Sequence, residues 1–182
     1  MSELILVLGG ARSGKSRYAE QLAGSLAGGR PIAYIATMVP IDDETIARIE
    51  RHRRQRPASW RTIEEPLNAA AALGSRTEGA GAVVLDCVTL LVTNHLMAMQ
   101  EGEENAFEAR VDEEIDALID AARTAPASVV LVSNEVGLGL VPEYPLARLF
   151  RDVAGRANQR LAAAANRVVF MVAGIPMVVK PQ

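Results

Sequence analysis

Short apolar runs alternate with longer amphipathic segments along most of the chain. The runs are continuous, as expected for strands that are buried on both faces of a parallel sheet. This pattern predicts strands at residues 4–8, 31–36, 60–64, 82–86, 128–133 and 167–173. A last short strand, at 177–180, follows a Gly174-Ile175-Pro176 turn, and we expect it to pair antiparallel at one edge of the sheet.

Helical periodicity predicts helices at about residues 15–27, 42–56, 88–100, 105–123 and 145–166. Parallel neighbouring strands need crossover helices, so this alternation predicts an α/β fold with a mostly parallel sheet flanked by helices. We interpret the polar stretch 74–81 as a surface connection rather than a linker between domains. We therefore expect residues 1–182 to form a single domain. The apolar stripe of the last helix is typical of core packing, with an oligomer contact as the alternative.

Composition and length fit one globular domain, since the chain has 182 residues, of which 49% are hydrophobic and 23% charged. Cys87 is the single cysteine, so an internal disulfide is excluded and a cytoplasmic location is expected. No signal peptide is evident. The longest uncharged apolar stretch, 168–179, is shorter than the roughly 20 residues that a membrane-spanning helix needs. The net charge of −3 argues against nucleic acid as a partner.

The strongest chemical signal lies between the first predicted strand and the first predicted helix. It matches the P-loop pattern G-x-x-x-x-G-K-[ST] in the context that the pattern requires. Glycines let backbone N–H groups surround phosphate oxygens, and Lys15 is expected to reach the β- and γ-phosphates. The residues predicted to bind nucleotide here are Gly9, Gly10, Ala11, Arg12, Ser13, Gly14, Lys15 and Ser16.

A P-loop also needs a magnesium ion and an acidic residue beside it. The Ser16 hydroxyl and the carboxylate of Asp86, which ends a predicted strand, are the expected ligands for Mg²⁺. The alternative role for Asp86 is to cap the helix that follows, and the two roles are compatible.

A second candidate lies on the predicted helix 42–56, where Glu44, Arg48, His52 and Arg56 are four residues apart. Five arginines within nine residues place His52 on an anion-binding surface. Nucleophilic catalysis at phosphorus needs an accessible neutral imidazole beside cationic charge, and His52 fits that description. The alternative is a solvated face whose charges complement the helix dipole.

The other histidine, His95, lies in an apolar helical run and is expected to be structural. With two histidines and one cysteine in the chain, metal chemistry beyond Mg²⁺ is not expected. The segment 134–142 follows a predicted strand, where open α/β sheets bind ligands. It is either a substrate loop or a long connection with ordinary turn residues.

Several motifs together resemble the bifunctional adenosylcobinamide kinase/adenosylcobinamide-phosphate guanylyltransferase family, and the resemblance spans nearly the whole chain. Beside the P-loop, these motifs are Tyr34-Ile35-Ala36-Thr37, Asp42-Asp43-Glu44, His52-Arg53 with Arg56-Pro57, Trp60-Arg61-Thr62, Asn134-Glu135-Val136-Gly137 and Ala154-Gly155-Arg156-Ala157-Asn158-Gln159. Some relatives carry two adjacent histidines where this chain has Arg51-His52.

The resemblance implies two reactions at one nucleotide site. In the first, adenosylcobinamide takes the γ-phosphoryl group of ATP or GTP. In the second, a histidine attacks the α-phosphorus of GTP, releases pyrophosphate and carries GMP to adenosylcobinamide phosphate, which gives adenosylcobinamide-GDP. The resemblance also implies a RecA-like P-loop domain and a homotrimer.

By resemblance, His52 and Lys15 are the catalytic residues. Further contacts to the nucleotide or its metal are implied for Ala36, Thr37, Arg53, Arg54, Gln55, Arg56, Glu64 and Asp86. Asp86 and Glu135 are candidates for the general base of the kinase step, which stays open.

Three other functions compete with this interpretation. A regulatory GTPase needs an [NT]-K-x-D motif, which a chain with lysine only at positions 15 and 180 cannot supply. A nucleic-acid-dependent ATPase needs aromatic and basic surface, whereas only 4% of the residues are aromatic. A P-loop kinase for another small metabolite, without guanylyl transfer, remains the main alternative.

Overall fold

The computed structural model describes residues 2–181, apart from the side chains of Arg48 and Gln55. The chain alternates strands and helices through most of its length. The elements are β1 (Leu4–Gly9), α1 (Lys15–Leu26), β2 (Ile32–Ala36), α2 (Asp43–Gln55), β3 (Arg61–Glu64), α3 (Ala69–Arg76), β4 (Ala82–Asp86), α4 (Val88–Met97), α5 (Glu104–Thr124), β5 (Ser128–Asn134), α6 (Pro145–Ala164), β6 (Arg167–Val172) and β7 (Ile175–Lys180).

The strands form one seven-stranded sheet in the order β3-β2-β4-β5-β1-β6-β7. Every neighbouring pair is parallel except β6 and β7, which are antiparallel. The predicted α/β class and the antiparallel edge strand are therefore confirmed. The predicted turn at 174–176 is wrong, because Ile175 and Pro176 already pair with β6 and the turn consists of Ala173 and Gly174. Because β1 lies between β5 and β6, the segments that follow β1 and β5 leave the sheet side by side.

Both faces of the sheet are covered. On one face, Leu6 and Leu131 pack in the same core cluster as Phe107 of α5. On the other face, Ile5 and Val130 pack in a second cluster with the alanines of α1. Ala19 and Ala23 are fully buried there, and their small side chains let α1 lie close to the strands. This packing fixes the first turn of α1 against the end of β1.

Helix α3 is a correction to the sequence analysis, which assigned no element to residues 69–73 and interpreted 74–81 as a connection. The helix has only eight residues and contains Gly74, so its local signal is weak. Contacts from distant residues supply what the local sequence lacks. Glu114 on α5 accepts the backbone N–H of Ala70 at 2.8 Å, and Leu73 is buried in the core.

Several element boundaries also shift. Helix α2 begins one residue later than predicted, because Asp42 is its N-cap and accepts the N–H of Thr45 at 2.7 Å in a capping box. Helix α4 ends at Met97 rather than residue 100, and β3 begins at Arg61 because the N–H of Trp60 closes a turn onto Pro57. Within the described residues, no helix is both long and apolar enough to cross a membrane.

Gly81, just before β4, is the tightest glycine position, and we predict that Gly81→Ala destabilises the fold. An added Cβ would lie 2.2 Å from the carbonyl oxygen of Ala27 and 2.8 Å from Cβ of Arg30. Overpacking of this kind costs about 2 kcal/mol or more of unfolding free energy. Gly74→Ala is the control, since a Cβ there meets no atom within 4 Å. Urea unfolding that shows equal stability for the two variants would contradict this account.

Candidate active site

The P-loop of residues 9–16 joins β1 to α1 with a backbone that turns sharply inward. Gly14, the N-cap of α1, has φ 94°, and Arg12 has φ 55°. Positive φ values of this kind are typical of loops whose backbone N–H groups surround an anion at the positive end of a helix. Lys15 crosses the loop, and its Nζ donates to the carbonyl oxygen of Gly10 at 2.6 Å.

Two polar side chains of the P-loop are buried. Lys15 is 7% exposed and Ser13 is 8% exposed. Among the described residues, Ser13 Oγ has no hydrogen-bond partner. Buried polar atoms are almost always hydrogen-bonded, so an unsatisfied hydroxyl beside a buried ammonium group fits a ligand that brings its own anionic oxygens.

The hairpin formed by β6 and β7 packs against the P-loop. The N–H of Gly174 donates to the carbonyl oxygen of Ser13 at 3.0 Å. A Cβ on Gly9 would lie 2.7 Å from both the carbonyl oxygen of Met171 and Ser13 Oγ. The sequence did not predict this contact between the hairpin and the P-loop, because the hairpin follows the P-loop by more than 150 residues.

The other predicted site residues meet the P-loop along the carboxyl edge of the sheet. Glu64 is the register partner of Ala36, and Ala36 is the register partner of Asp86. On the other side of β5, Gly9 is the register partner of Asn134. Parallel pairing therefore brings the ends of five strands to one edge, which is where open α/β sheets bind ligands.

Asp86 is held in place by Tyr34, whose hydroxyl donates to Oδ2 of Asp86 at 2.8 Å. Burial and the adjacent Asp86 charge raise the pKa of Tyr34 well above 10, so the phenol remains a donor at neutral pH. Tyr34 belongs to one of the motifs that carry the family resemblance, but the sequence assigns it no role. Its position in the middle of a buried strand looked like ordinary core.

Thr37 fixes the backbone that follows Asp86. Its buried hydroxyl accepts the N–H of Cys87 at 2.8 Å and donates to the carbonyl oxygen of Cys87 at 2.8 Å. The predicted contact of Thr37 with nucleotide stays a prediction, since its side chain is 0% exposed. Cys87 is also buried, and desolvation raises the pKa of its thiol to about 12, so the thiol is protonated at neutral pH.

Arg56 connects α2, the helix that carries His52, to this edge of the sheet. Its guanidinium carbon lies 3.8 Å from the centroid of the Tyr34 ring, and its NH1 donates to Thr62 Oγ1 at 3.0 Å. Its Nε donates to the backbone carbonyl of His52 at 3.0 Å. A continuous set of contacts thus leads from His52 through Arg56 and Tyr34 to Asp86.

The remaining residues predicted on or beside α2 differ in their surroundings. His52 is half-buried, whereas Arg53 is exposed and pairs with Glu64. Arg54 is also exposed and lies 3.8 Å from Glu50. The side chain of Gln55 lies outside the described residues. Arg53 and Glu64 therefore join α2 to the end of β3 at the same edge of the sheet.

Glu20 is an acidic side chain near these groups to which the sequence assigned no role. It lies on α1 four residues after Ser16, so the two side chains share a helix face. Burial raises the pKa of Glu20, the nearby Arg56 charge lowers it, and the Asp86 charge raises it. Glu20 therefore lies within electrostatic reach of both groups. Its spacing from Ser16 was the available signal.

Ser16 and Asp86 offer a hydroxyl and a carboxylate oxygen, the hard donors that Mg²⁺ prefers. The described residues contain no group of three or more His, Cys, Asp or Glu side chains that could hold a metal. Magnesium in nucleotide sites typically takes one or two protein ligands and completes its shell with phosphate oxygens and water. The residues present fit such an ion.

His95 and the loop after β5 occupy different surroundings. His95 Nε2 lies 3.1 Å from the carbonyl oxygen of Leu67, and burial lowers its pKa, which agrees with a neutral structural imidazole.

The loop after β5 begins beside the P-loop, since the N–H of Glu135 donates to the carbonyl oxygen of Gly9 at 3.0 Å. Its next turn is closed by Glu135, whose Oε1 accepts the N–H of Gly137 at 2.5 Å.

Comparisons with known proteins cover nearly the full chain. A family model described as cobinamide kinase / cobinamide phosphate guanyltransferase matches residues 5–179, from β1 into β7. The chain is 49% identical over 185 residues to the bifunctional adenosylcobalamin biosynthesis protein CobU of Salmonella typhimurium. This alignment covers 97% of this chain and 99% of that protein. The chain is 48% identical to CobU of Escherichia coli over 183 residues, with the same coverage. It is 46% identical to the bifunctional adenosylcobalamin biosynthesis protein CobP of Pseudomonas aeruginosa over 175 residues, 96% of each chain.

We predict that Gly9→Ala lowers the unfolding free energy and disrupts the P-loop. The added methyl group collides with the backbone of Met171, and Gly9 has φ 154°, which L residues rarely adopt. Strain and overpacking together cost about 2–4 kcal/mol. Gly10→Ala is the matched control, because its Cβ meets no atom within 4 Å. A thermal unfolding midpoint that is the same in both variants would refute the close approach at Gly9.

We also predict that Tyr34→Phe weakens the binding of Mg²⁺-nucleotide by about tenfold, or ~1.4 kcal/mol. The reason is that the charged carboxylate of Asp86 loses the hydrogen bond that the Tyr34 hydroxyl donates to it. Affinity for nucleotide in EDTA is expected to stay unchanged. Fluorescence of Trp60, the single tryptophan, reports the binding, since its ring centroid lies 6.3 Å from that of Tyr34. Tyr144→Phe, at an exposed position, is the control. An unchanged magnesium dependence in Tyr34→Phe would remove Tyr34 from the site.

Proposed function

The chain belongs to the cobinamide kinase / cobinamide phosphate guanyltransferase family, and we propose that both reactions take place at the carboxyl edge of its sheet. It is a bifunctional enzyme of cobalamin biosynthesis. It phosphorylates adenosylcobinamide and then transfers GMP to the product, giving adenosylcobinamide-GDP. The observation that carries the shared site is the set of contacts from His52 through Arg56 and Tyr34 to Asp86, beside the P-loop.

In the kinase step, the aminopropanol hydroxyl of adenosylcobinamide attacks the γ-phosphorus of ATP or GTP. The bond from that phosphorus to the β–γ bridging oxygen breaks, the nucleoside diphosphate leaves, and the hydroxyl proton passes to a base, for which Asp86 and Glu135 are candidates. Lys15 and the N–H groups of the P-loop stabilise the charge on the phosphate oxygens. Ser16 and Asp86 would hold Mg²⁺, which neutralises charge between the phosphates.

In the guanylyl step, an imidazole nitrogen of His52 attacks the α-phosphorus of GTP, and the bond to pyrophosphate breaks. The resulting phosphoramidate carries GMP. A phosphate oxygen of adenosylcobinamide phosphate then attacks the same phosphorus and releases the histidine. Arg56 holds the carbonyl of His52 and places a guanidinium group at the edge of the site, where it offsets the charge on the transferring group.

The other contacts that the sequence analysis implies, including those of Ala36, Arg53 and Glu64, fit this proposal through their place on the same edge. A kinase without guanylyl transfer is not favoured, because the named relatives are bifunctional. The homotrimer stays a prediction from the resemblance, and the cytoplasmic location stays a prediction from the single cysteine.

The covalent step is tested with GTP labelled at the α-phosphate, incubated with the protein and Mg²⁺ and followed by a denaturing gel. We predict an acid-labile, base-stable label that is lost in His52→Ala. His95→Gln is the matched control, because His95 is the other histidine of the chain and lies outside the site. Its label is expected to equal that of the unaltered protein. Absence of label in the active, folded protein would overturn the covalent mechanism.

The division of roles is tested with the kinase reaction in the same variants. His52→Ala is expected to keep much of the kinase activity, whereas Lys15→Ala is expected to lower both reactions by about 100-fold or more, since Lys15 stabilises charge in both. Equal loss of both activities in a folded His52→Ala protein would contradict separate roles.

A further inference from the structure

A polar cavity of about 370 Å³ opens between α6 and the loop that follows β5. The proposed chemistry does not use it, although it is lined by residues of the Asn134–Gly137 and Ala154–Gln159 motifs. The lining residues are Gly137, Arg151, Asp152, Gly155, Arg156 and Gln159. Its volume lies near the lower end of the range for small-molecule sites, which is roughly 300–1,000 Å³, so it can receive the edge of a larger ligand.

The cavity adjoins the nucleotide site through the chain itself. Glu135, two residues before the cavity wall at Gly137, donates its N–H to the carbonyl oxygen of Gly9 in the P-loop at 3.0 Å. Asn134 is the register partner of Gly9. A ligand in the cavity therefore lies near Gly9, the first residue of the P-loop. The acceptor of a phosphoryl group has to lie beside that loop.

The loop is held in place despite its exposure. Arg151 donates to the carbonyl oxygens of Gly137 at 2.9 Å and Leu140 at 3.5 Å. Arg148 donates to the carbonyl oxygens of Pro142 at 3.0 Å and Glu143 at 2.6 Å. A loop anchored at four carbonyls is preorganised, which lowers the entropy cost of binding a ligand.

An apolar surface lies directly beside the polar cavity. Leu138, Leu140, Val141 and Tyr144 are 81%, 97%, 67% and 75% exposed. Such contiguous exposure of large apolar side chains marks a binding surface. The two surfaces together suit a ligand with an apolar face and polar groups around its edge.

Gly155 leaves the wall of the cavity open. It lies inside the 20-residue helix α6, where glycine costs about 0.5–1 kcal/mol relative to alanine. A Cβ at this position would meet no atom within 4 Å, so the packing of the chain does not require a glycine there. The absent side chain instead gives a ligand access to Asp152 and Gln159, whose side chains are exposed.

We propose that this cavity and the apolar loop beside it bind the corrinoid acceptor, an inference that rests on the proposed function. The corrin ring has apolar faces and a fringe of carboxamide arms. The ring face lies on the apolar loop, and carboxamides enter the cavity, where Asp152 accepts and Gln159 donates and accepts hydrogen bonds. The aminopropanol arm then extends toward the P-loop.

The test is equilibrium dialysis of cobinamide against Gly155→Leu in the absence of nucleotide. Leucine is a good helix former, so it fills the cavity while keeping α6. Gly24→Leu is the matched control, because Gly24 is likewise a helical glycine whose Cβ would meet no atom within 4 Å. We expect at least about tenfold weaker cobinamide binding in Gly155→Leu alone. Guanylyl labelling by GTP is expected to be equal in both variants.

Unchanged cobinamide affinity in Gly155→Leu overturns the assignment. A changed oligomeric mass in size-exclusion chromatography, with unchanged cobinamide affinity, shows instead that this face contacts a second copy of the chain. If the unaltered protein takes neither guanylyl label nor cobinamide, the proposed function itself fails. Gln159→Ala, at an exposed position, provides the same test should Gly155→Leu not fold, with weaker cobinamide binding expected.

Discussion

The close approach of the P-loop to the β6–β7 hairpin is the constraint on which the site depends. Gly9 lies where a Cβ would touch both Met171 and Ser13, and the N–H of Gly174 holds the carbonyl of Ser13. These contacts fix the turn between β1 and α1 from behind. Because α1 lies close to the sheet through its alanines, the first turn that carries Lys15 and Ser16 is fixed as well. The chain itself therefore holds the loop that is proposed to bind phosphate in one conformation.

A second set of contacts connects the edge of the sheet beside the P-loop to His52, the residue that is proposed to react. Tyr34 binds Asp86 with its hydroxyl and carries the Arg56 guanidinium on its ring, and Arg56 holds the backbone of His52. Tyr34 thus connects the carboxylate proposed for metal binding with the helix proposed for covalent chemistry. A site that serves both proposed reactions needs such a connection, because the γ-phosphorus of one nucleoside triphosphate and the α-phosphorus of a second, intact GTP must be reached there in turn.

Local patterns in the sequence predicted the P-loop, the parallel strands, Asp86 at a strand end and the capped histidine helix. Each of these depends on neighbouring residues, so each is visible in a short window. Helix α3 was missed because Glu114 and core packing stabilise it from a distance. The role of Tyr34 and the proximity of Glu20 were missed for the same reason, since only the fold brings α1, β2 and β4 together at Asp86. The cavity between α6 and the loop after β5 likewise arises from contacts between distant segments.

The most direct test of the central claim is to map the GMP adduct by mass spectrometry at neutral pH, after incubation with GTP and digestion after glutamate. His52 then lies in the peptide 51–64 and His95 in the peptide 79–101, so the two histidines are separated. We expect the adduct on peptide 51–64 alone. An adduct on peptide 79–101, or its absence from a preparation that forms adenosylcobinamide-GDP, would contradict it.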